Sequence, residues 1–419
     1  CSSDLGLKSR PPLGQTANAS PFSLLMRLLA LLSFLGLVSL VSAETRISVD
    51  GSIDGVIKPG RLSVNLVSDD AAFGEQVKVA LAVHGDINLN PSTSVRVTVS
   101  RSALTATAAC DSPLMAFQTS VEGRDEHDLI LQVADAVIVG LGKRLQLKPL
   151  FAGTKVAFVS RYSGKPEIYI TNLARSRILR LTNYQSTTTS PRWSADGSRV
   201  YFVTSYRTGF PEILSSNGIG EAAKVITNVR GALGGASSGP DGRIAFASSS
   251  KGTMDIFVAG PHGESPRLVI GTDGVDSDPS WSPDGTRFAL TSGPLGRPGI
   301  YLASSAGGGL TRVATGYGYS TEPRWNPVFP NQIVFTYQSG GLGLGLIDLG
   351  AEKVGPLPAV SALNLSHASW CADGRHLVAT QASASTGWIV VVDSVTGKVT
   401  RLSPSSMGDS SEPDCWVRR

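Results

Sequence analysis

A tryptophan-centred motif returns at a nearly constant interval from residue 190 to the end of the chain. Ser190-Pro191-Arg192-Trp193-Ser194-Ala195-Asp196-Gly197 is echoed by Asp278-Pro279-Ser280-Trp281-Ser282-Pro283-Asp284-Gly285. Glu322-Pro323-Arg324-Trp325-Asn326-Pro327 and His367-Ala368-Ser369-Trp370-Cys371-Ala372-Asp373-Gly374 follow. Ser238-Gly239-Pro240-Asp241-Gly242 is a worn copy and Glu412-Pro413-Asp414-Cys415-Trp416 a terminal one. The Trp-equivalent positions are 193, 238, 281, 325, 370 and 415, so every step is 43–45 residues. A fixed period of this length implies a chain of repeated supersecondary units.

Each motif leads into the same programme. Short apolar strands are predicted at Val200–Ser205, Ile244–Ser249, Phe288–Ser292, Ile333–Gln338 and Leu377–Gln381. After a glycine-containing turn come second strands at Glu212–Ser216, Asp255–Ala259, Gly299–Ala303 and Trp388–Asp393. Third strands such as Val225–Thr227 and Lys398–Ser403 complete the unit. Asp-Gly after the Trp strand is a hairpin signal, because both residues tolerate positive φ. Four strands per unit describe a β-propeller blade. Residues 155–183 carry the last three strands of a blade: Val156–Ser160, Glu167–Asn172 and Ile178–Asn183. Glu412–Val417 supplies the missing Trp-type strand, so it is expected to pair with Val156–Ser160 and close six blades into a ring. Closure removes the exposed sheet edges that invite aggregation. The repeated Trp residues are expected to pack between blades and the Asp side chains to cap turns.

Composition agrees with this and excludes other classes. Glycine at 46 of 419 residues serves many turns, and 41% apolar content suffices for a core. Only 17% charged residues argues against a disordered chain or a coiled coil. A net charge of +4 without a dense Lys/Arg cluster gives no footprint for nucleic acid. Four cysteines are too few for a disulfide-built scaffold. Cys371 and Cys415 occupy neighbouring repeat positions; their registers differ by one, which favours opposite faces and buried thiols, with Cys110 a third.

Ahead of the ring, residues 61–150 read as a small α/β domain. Leu62–Val67 is predicted as a strand, and Asp69 or Asp70 caps a helix bearing Phe73, Val77 and Leu81. Val95–Ser100, Thr105–Ala109 and Phe117–Glu122 alternate as strands. Asp125 opens a second helix with Leu129, Val133, Val137 and Leu141 on one stripe, ending near Gly142. Lys148-Pro149 starts the linker to the ring, which takes residues 151–419. Further upstream, Met26 and Arg27 precede an apolar run from Leu28 to Leu40 and a Val41-Ser42-Ala43 cleavage signal. This is the pattern of a secretion signal over 26–43, the run being too short for a bilayer span. Residues 1–25 are expected to be upstream read-through, and removal of 1–43 leaves a net charge of +2.

The pattern x-P-x-W-S-x-D-G, a strand, S-x-x-x-G-x-x-(I/Y)-Y and a closing L-T resembles the repeat of the TolB family. Ser160-Arg161-Tyr162-Ser163-Gly164-Lys165-Pro166-Glu167-Ile168-Tyr169 is an especially close copy. Such repeats also precede hydrolase domains in prolyl-oligopeptidase-like enzymes, but here the sequence stops where the ring closes. Glu44-Thr45-Arg46-Ile47-Ser48-Val49-Asp50-Gly51 is similar to the start of mature family members. The resemblance implies a periplasmic, monomeric scaffold of the Tol-Pal system, reaching membranes only through its partners. It implies that a TolA-like inner-membrane protein is bound by Glu44, Thr45, Arg46, Ile47, Ser48, Val49 and Asp50, within a partner-binding segment 44–60. It also implies that a Pal-like outer-membrane lipoprotein docks at the funnel of the propeller.

The funnel can be located from the strand order. The first strand of each blade is innermost, so the residues just before each Trp sit at one mouth. They are Thr189, Ser190, Ser277, Asp278, Thr321, Glu322, Ser366, His367, Ser411 and Glu412. No cofactor, metal ligand or catalytic residue is assigned. The alternative is a propeller hydrolase or lactonase-like enzyme with an axial metal, drawing on Asp278, Glu322 and Glu412. Only His367 among the five histidines stands at the mouth.

Overall fold

The computed structural model describes residues 62–145, 147–218, 224–225, 231–357, 360 and 363–416. The expected read-through, secretion signal and partner-binding segment, with Glu44–Asp50, lie outside the described residues.

The α/β region builds one five-stranded sheet and two helices. Strand β1 (Leu62–Ser68) lies between β2 (Ile87–Leu89) and β3 (Arg96–Ser102), parallel to both; β4 (Thr105–Ser112) and β5 (Met115–Glu122) continue antiparallel. Asp70 caps helix α1 (Ala71–Leu81), its Oδ1 accepting the Phe73 N–H at 3.0 Å, as one of the two predicted caps. Asp125 caps helix α2 (Glu126–Leu145) through the Asp128 N–H at 2.8 Å. The stripe Leu129, Val133, Val137 and Leu141 is fully buried. Two expectations need correction. Helix α2 runs past Gly142 to Leu145, since glycine alone does not stop a helix whose neighbours bury. Strand β2 was not foreseen, because three residues are too few to show a period.

Six four-stranded sheets form the ring. Their innermost strands are Thr188–Trp193, Ser237–Ser238, Ser277–Trp281, Ser320–Trp325, Leu365–Trp370 and Ser410–Trp416. The last pairs antiparallel with Lys155–Ser160, Trp416 opposite Lys155 and Ser410 opposite Ser160, so one blade is split between the two ends of the ring. The next strand outward carries a fully buried phenylalanine in five blades: Phe158, Phe202, Phe246, Phe288 and Phe335. Between blades pack the Trp rings. Trp281 Nε1 donates to Ser237 O at 3.0 Å, Trp370 Nε1 to Arg324 O at 3.0 Å and Trp416 Nε1 to Ala195 O at 3.2 Å. The Asp of each Asp-Gly closes its turn as predicted, Asp284 accepting Thr286 N–H and Asp196 accepting Ser198 N–H, both at 3.0 Å. Hydrogen bonds from Ser282 and Thr286 hold the Asp284 carboxyl down at about 2.

The α/β region is joined to the ring by buried polar contacts. Asp135 on α2 accepts three successive linker N–H groups, from Leu150, Phe151 and Ala152, at 2.6–2.9 Å. Arg375 bridges Asp86 of the α/β region and Asp393 of the ring at 2.6 and 2.7 Å. Cys110, Cys371 and Cys415 are free and buried. The expectation that Cys371 and Cys415 face opposite ways is corrected, for Cys371 lies one residue past its strand, where alternation no longer applies. Burial, and then the adjacent Cys415 thiol, push the Cys371 thiol well above its ordinary value.

Candidate partner-docking site

All ten residues assigned from sequence to the mouth fall on innermost strands. The second of each pair shares a conformation that no sequence pattern announced. Ser190, Asp278, Glu322, His367 and Glu412 have φ between 52° and 56°. Left-handed backbone at a non-glycine residue costs roughly 1–2 kcal/mol. Each stands where strand pairing shifts register, as between Thr321 and Arg324 or between Ser366 and Ser369. A bulge re-aims one side chain out of the sheet's alternation. In the worn blade the equivalent position is Gly235, where a Cβ would stand 3.0 Å from Ser190 Cβ. That blade offers backbone alone to the ring of side chains.

The re-aimed groups bond from blade to blade. Glu412 Oε2 accepts the Ser190 N–H at 2.7 Å. Glu322 Oε2 accepts the His367 N–H at 2.8 Å, and its Oε1 lies 2.9 Å from His367 Nε2. Burial alone would raise the Glu322 carboxyl, yet the His367 charge and hydrogen bonds outweigh it and lower the group to about 2. Burial likewise opposes the charge on His367, but Glu322 outweighs it and raises the imidazole above its ordinary 6.5. Asp278 is pushed up, first by burial and then by the Glu322 charge. Glu322 and Glu412 thus serve first as acceptors for neighbouring strands.

A second tier, missed from sequence, lies one residue before each Trp position. Asp414 Oδ2 accepts the Trp193 N–H at 2.9 Å, Ser280 Oγ accepts the Trp325 N–H at 2.9 Å and Ser369 Oγ accepts the Cys415 N–H at 3.1 Å. Each such side chain fastens its blade to a neighbour. The signal was present, since this slot holds only Ser, Asp or Arg in the five full copies. The Arg members, Arg192 and Arg324, line an open cavity with Trp193, Trp281, Trp325 and Asp414.

The mouth face also carries apolar side chains. Loops from the second to the third strand of each blade reach this face, because Thr204 pairs with Thr188, Thr291 with Ser277 and Ser160 with Ser410. On them Tyr162 is 63% exposed, Tyr206 53%, Phe210 75% and Leu295 92%. Leu295 and Pro294 bound a second open cavity with Val275, Asp278, Tyr319 and Glu322. Sequence reading passed over these residues as turn members. The mouth thus combines a polar centre, bonded from blade to blade, with exposed apolar side chains on the loops beside it.

Comparison with known proteins agrees with this architecture. Residues 219–417 match the family model of the TolB beta propeller domain. The chain is 33% identical over 189 residues to the "Protein TolB homolog" of Chlorobium luteolum, covering 44% of this chain and 42% of that protein. It is 30% identical over 162 residues to the "Tol-Pal system protein TolB" of Anaeromyxobacter dehalogenans, covering 38% of this chain and 36% of that protein. The matches therefore span less than half the length of these curated relatives. The structure of TolB from Acinetobacter baumannii superposes with a TM-score of 0.74 at 18% identity, covering 85% of this chain and 97% of that one. That likeness shows the shared fold. Over residues 219–417 the ring of this chain is similar to the TolB beta propeller domain.

Proposed function

We propose that this protein is a periplasmic scaffold of the Tol-Pal system, with no catalytic activity of its own. It links a TolA-like inner-membrane protein to a Pal-like outer-membrane lipoprotein, and so supports outer-membrane integrity and envelope constriction at division. The observation that carries this reading is the mouth face. Five strained residues, four of them bonded from blade to blade, form its centre, with Tyr162, Tyr206, Phe210 and Leu295 exposed around them. Strain of this kind is kept where a surface is used. Thr189, Ser190, Ser277, Asp278, Thr321, Glu322, Ser366, His367, Ser411 and Glu412 contribute the polar part of the Pal-type surface, and Glu44–Asp50 the TolA-type segment. Among the described residues no helix is long and apolar enough to cross a membrane, in keeping with contact through partners.

The test is capture from envelope extract with three versions of the protein. Wild type should recover both a Pal-like and a TolA-like protein. Glu322→Lys should lose the first alone, and deletion of Glu44–Asp54 should alter the second alone. Recovery of the Pal-like protein unchanged by Glu322→Lys would remove the mouth from the docking surface.

A further inference from the structure

Where the α/β region meets the ring, two histidines and three aspartates are buried together. His84 and His376 are both 0% exposed, with ring centroids 4.4 Å apart and planes at 81°. Both ring nitrogens of His84 lack a hydrogen-bond partner, as does Nε2 of His376. Leaving buried polar atoms unpaired is costly, so three such nitrogens in one place call for an occupant.

The surroundings state what kind. Asp373 Oδ2 lies 2.6 Å from His376 Nδ1, which puts the proton on Nδ1 and leaves a lone pair on Nε2. That lone pair faces Asp393 Oδ2 at 3.6 Å, too far for a hydrogen bond. Two ligands of a tetrahedral ion, each about 2.0–2.1 Å from it, stand about 3.3 Å apart. A carboxylate behind a histidine is also the usual means of orienting a metal-ligating imidazole. Ligand atoms of His84, His376 and Asp393 all lie within 4.8 Å of one another. Asp86 Oδ1 is a further unpartnered buried oxygen of the cluster. In charge, three buried carboxylates (Asp86, Asp373 and Asp393) face Arg375 and the Lys398 ammonium, which donates to His84 O at 3.2 Å.

We propose that His84, His376 and Asp393 form a structural site for a divalent transition-metal ion of the zinc class, which clamps the α/β region to the propeller. Two imidazoles and a carboxylate are ligands of that class. Complete burial of all three suits a structural ion rather than a catalytic one, which needs an open position. The site lies away from the funnel and does not depend on the docking reading.

The test uses the full chain without a polyhistidine tag, stripped by a chelator and titrated with Zn²⁺. Uptake of one ion per chain is expected, with a rise in melting temperature. Co²⁺ in place of Zn²⁺ should give the visible bands of a tetrahedral nitrogen and oxygen site, without a thiolate charge-transfer band. His84→Gln should abolish the one-to-one step. Asp373→Asn, which changes only the group positioning His376, should weaken binding about 10- to 100-fold. Absence of stoichiometric uptake by wild type overturns the proposal, as do thiolate bands or uptake unchanged in His84→Gln. The Co²⁺ spectrum is read on wild type, so a variant that fails to fold does not decide the outcome.

Discussion

Glu322 holds His367 of the next blade at two points, accepting its backbone N–H at 2.8 Å and lying 2.9 Å from its Nε2. The pair draws the two groups apart in titration, Glu322 down to about 2 and His367 up from 6.5. Stability from the raised histidine is fully present below 6.5 and is lost as pH rises through its folded value. Stability from the lowered glutamate is present above 4.5 and is lost only as pH falls toward about 2. The destabilisation caused by Glu322→Gln should therefore be larger at about pH 5.5 than at about pH 9. Urea unfolding of both proteins at the two pH values measures it; an equal difference at both would show that the pair is not ionic.

The apolar rim predicts a separation of stability from binding. Phe210 is 75% exposed and Leu295 92%, so Phe210→Ser and Leu295→Ser should change unfolding free energy by less than about 0.5 kcal/mol. If the rim is the docking surface, Phe210→Ser should weaken capture of the Pal-like protein at least about tenfold. Titration of the purified partner domain by calorimetry tests both halves of the statement.

Ring closure predicts a sensitive glycine. Gly197 has φ +66°, and a Cβ there would stand 2.2 Å from Cε2 of Trp416 on the closing strand. Gly197→Ala combines a left-handed strain of roughly 1–2 kcal/mol with a clash in a packed interface. A loss of about 3 kcal/mol or more is expected by chemical denaturation. Gly209, at φ +79° with nothing near its Cβ, is the control and should lose only the strain.

Asp135 predicts the strength of the joint between the α/β region and the ring. Its carboxyl receives three N–H groups, those of Leu150 and Phe151 buried and that of Ala152 partly so, and Asp135→Ala would leave all three without it. At about 1–3 kcal/mol for each orphaned group, the loss should reach at least about 3 kcal/mol. Hydrogen exchange of the Leu150, Phe151 and Ala152 amides should rise by the same free energy; exchange unchanged at these amides would show that they are held otherwise.

Residues with local consequences were legible in the sequence. Asp70 and Asp125 announced the two helices through cap chemistry, and both caps form. Trp281, Trp370 and Trp416 announced the blades, and all three indoles bond to the neighbouring blade. The positive φ of Glu322 and His367 was not legible, because a bulge depends on how two strands meet and not on one strand's composition. Nor was the His84 and His376 contact, whose members belong to different units of the fold.

The sequence by itself determined the ring: its six blades, its closing strand and the small α/β region before it. Those follow from period, alternation and turn chemistry, which act within a few residues and repeat. Only the tertiary structure decided what the ring brings together. Glu412 and Ser190 are 222 residues apart, and Arg375 and Asp86 are 289 apart. Such pairs exist because closing a circle makes neighbours of distant strands, and burial at the joint then makes their hydrogen bonds and charges count.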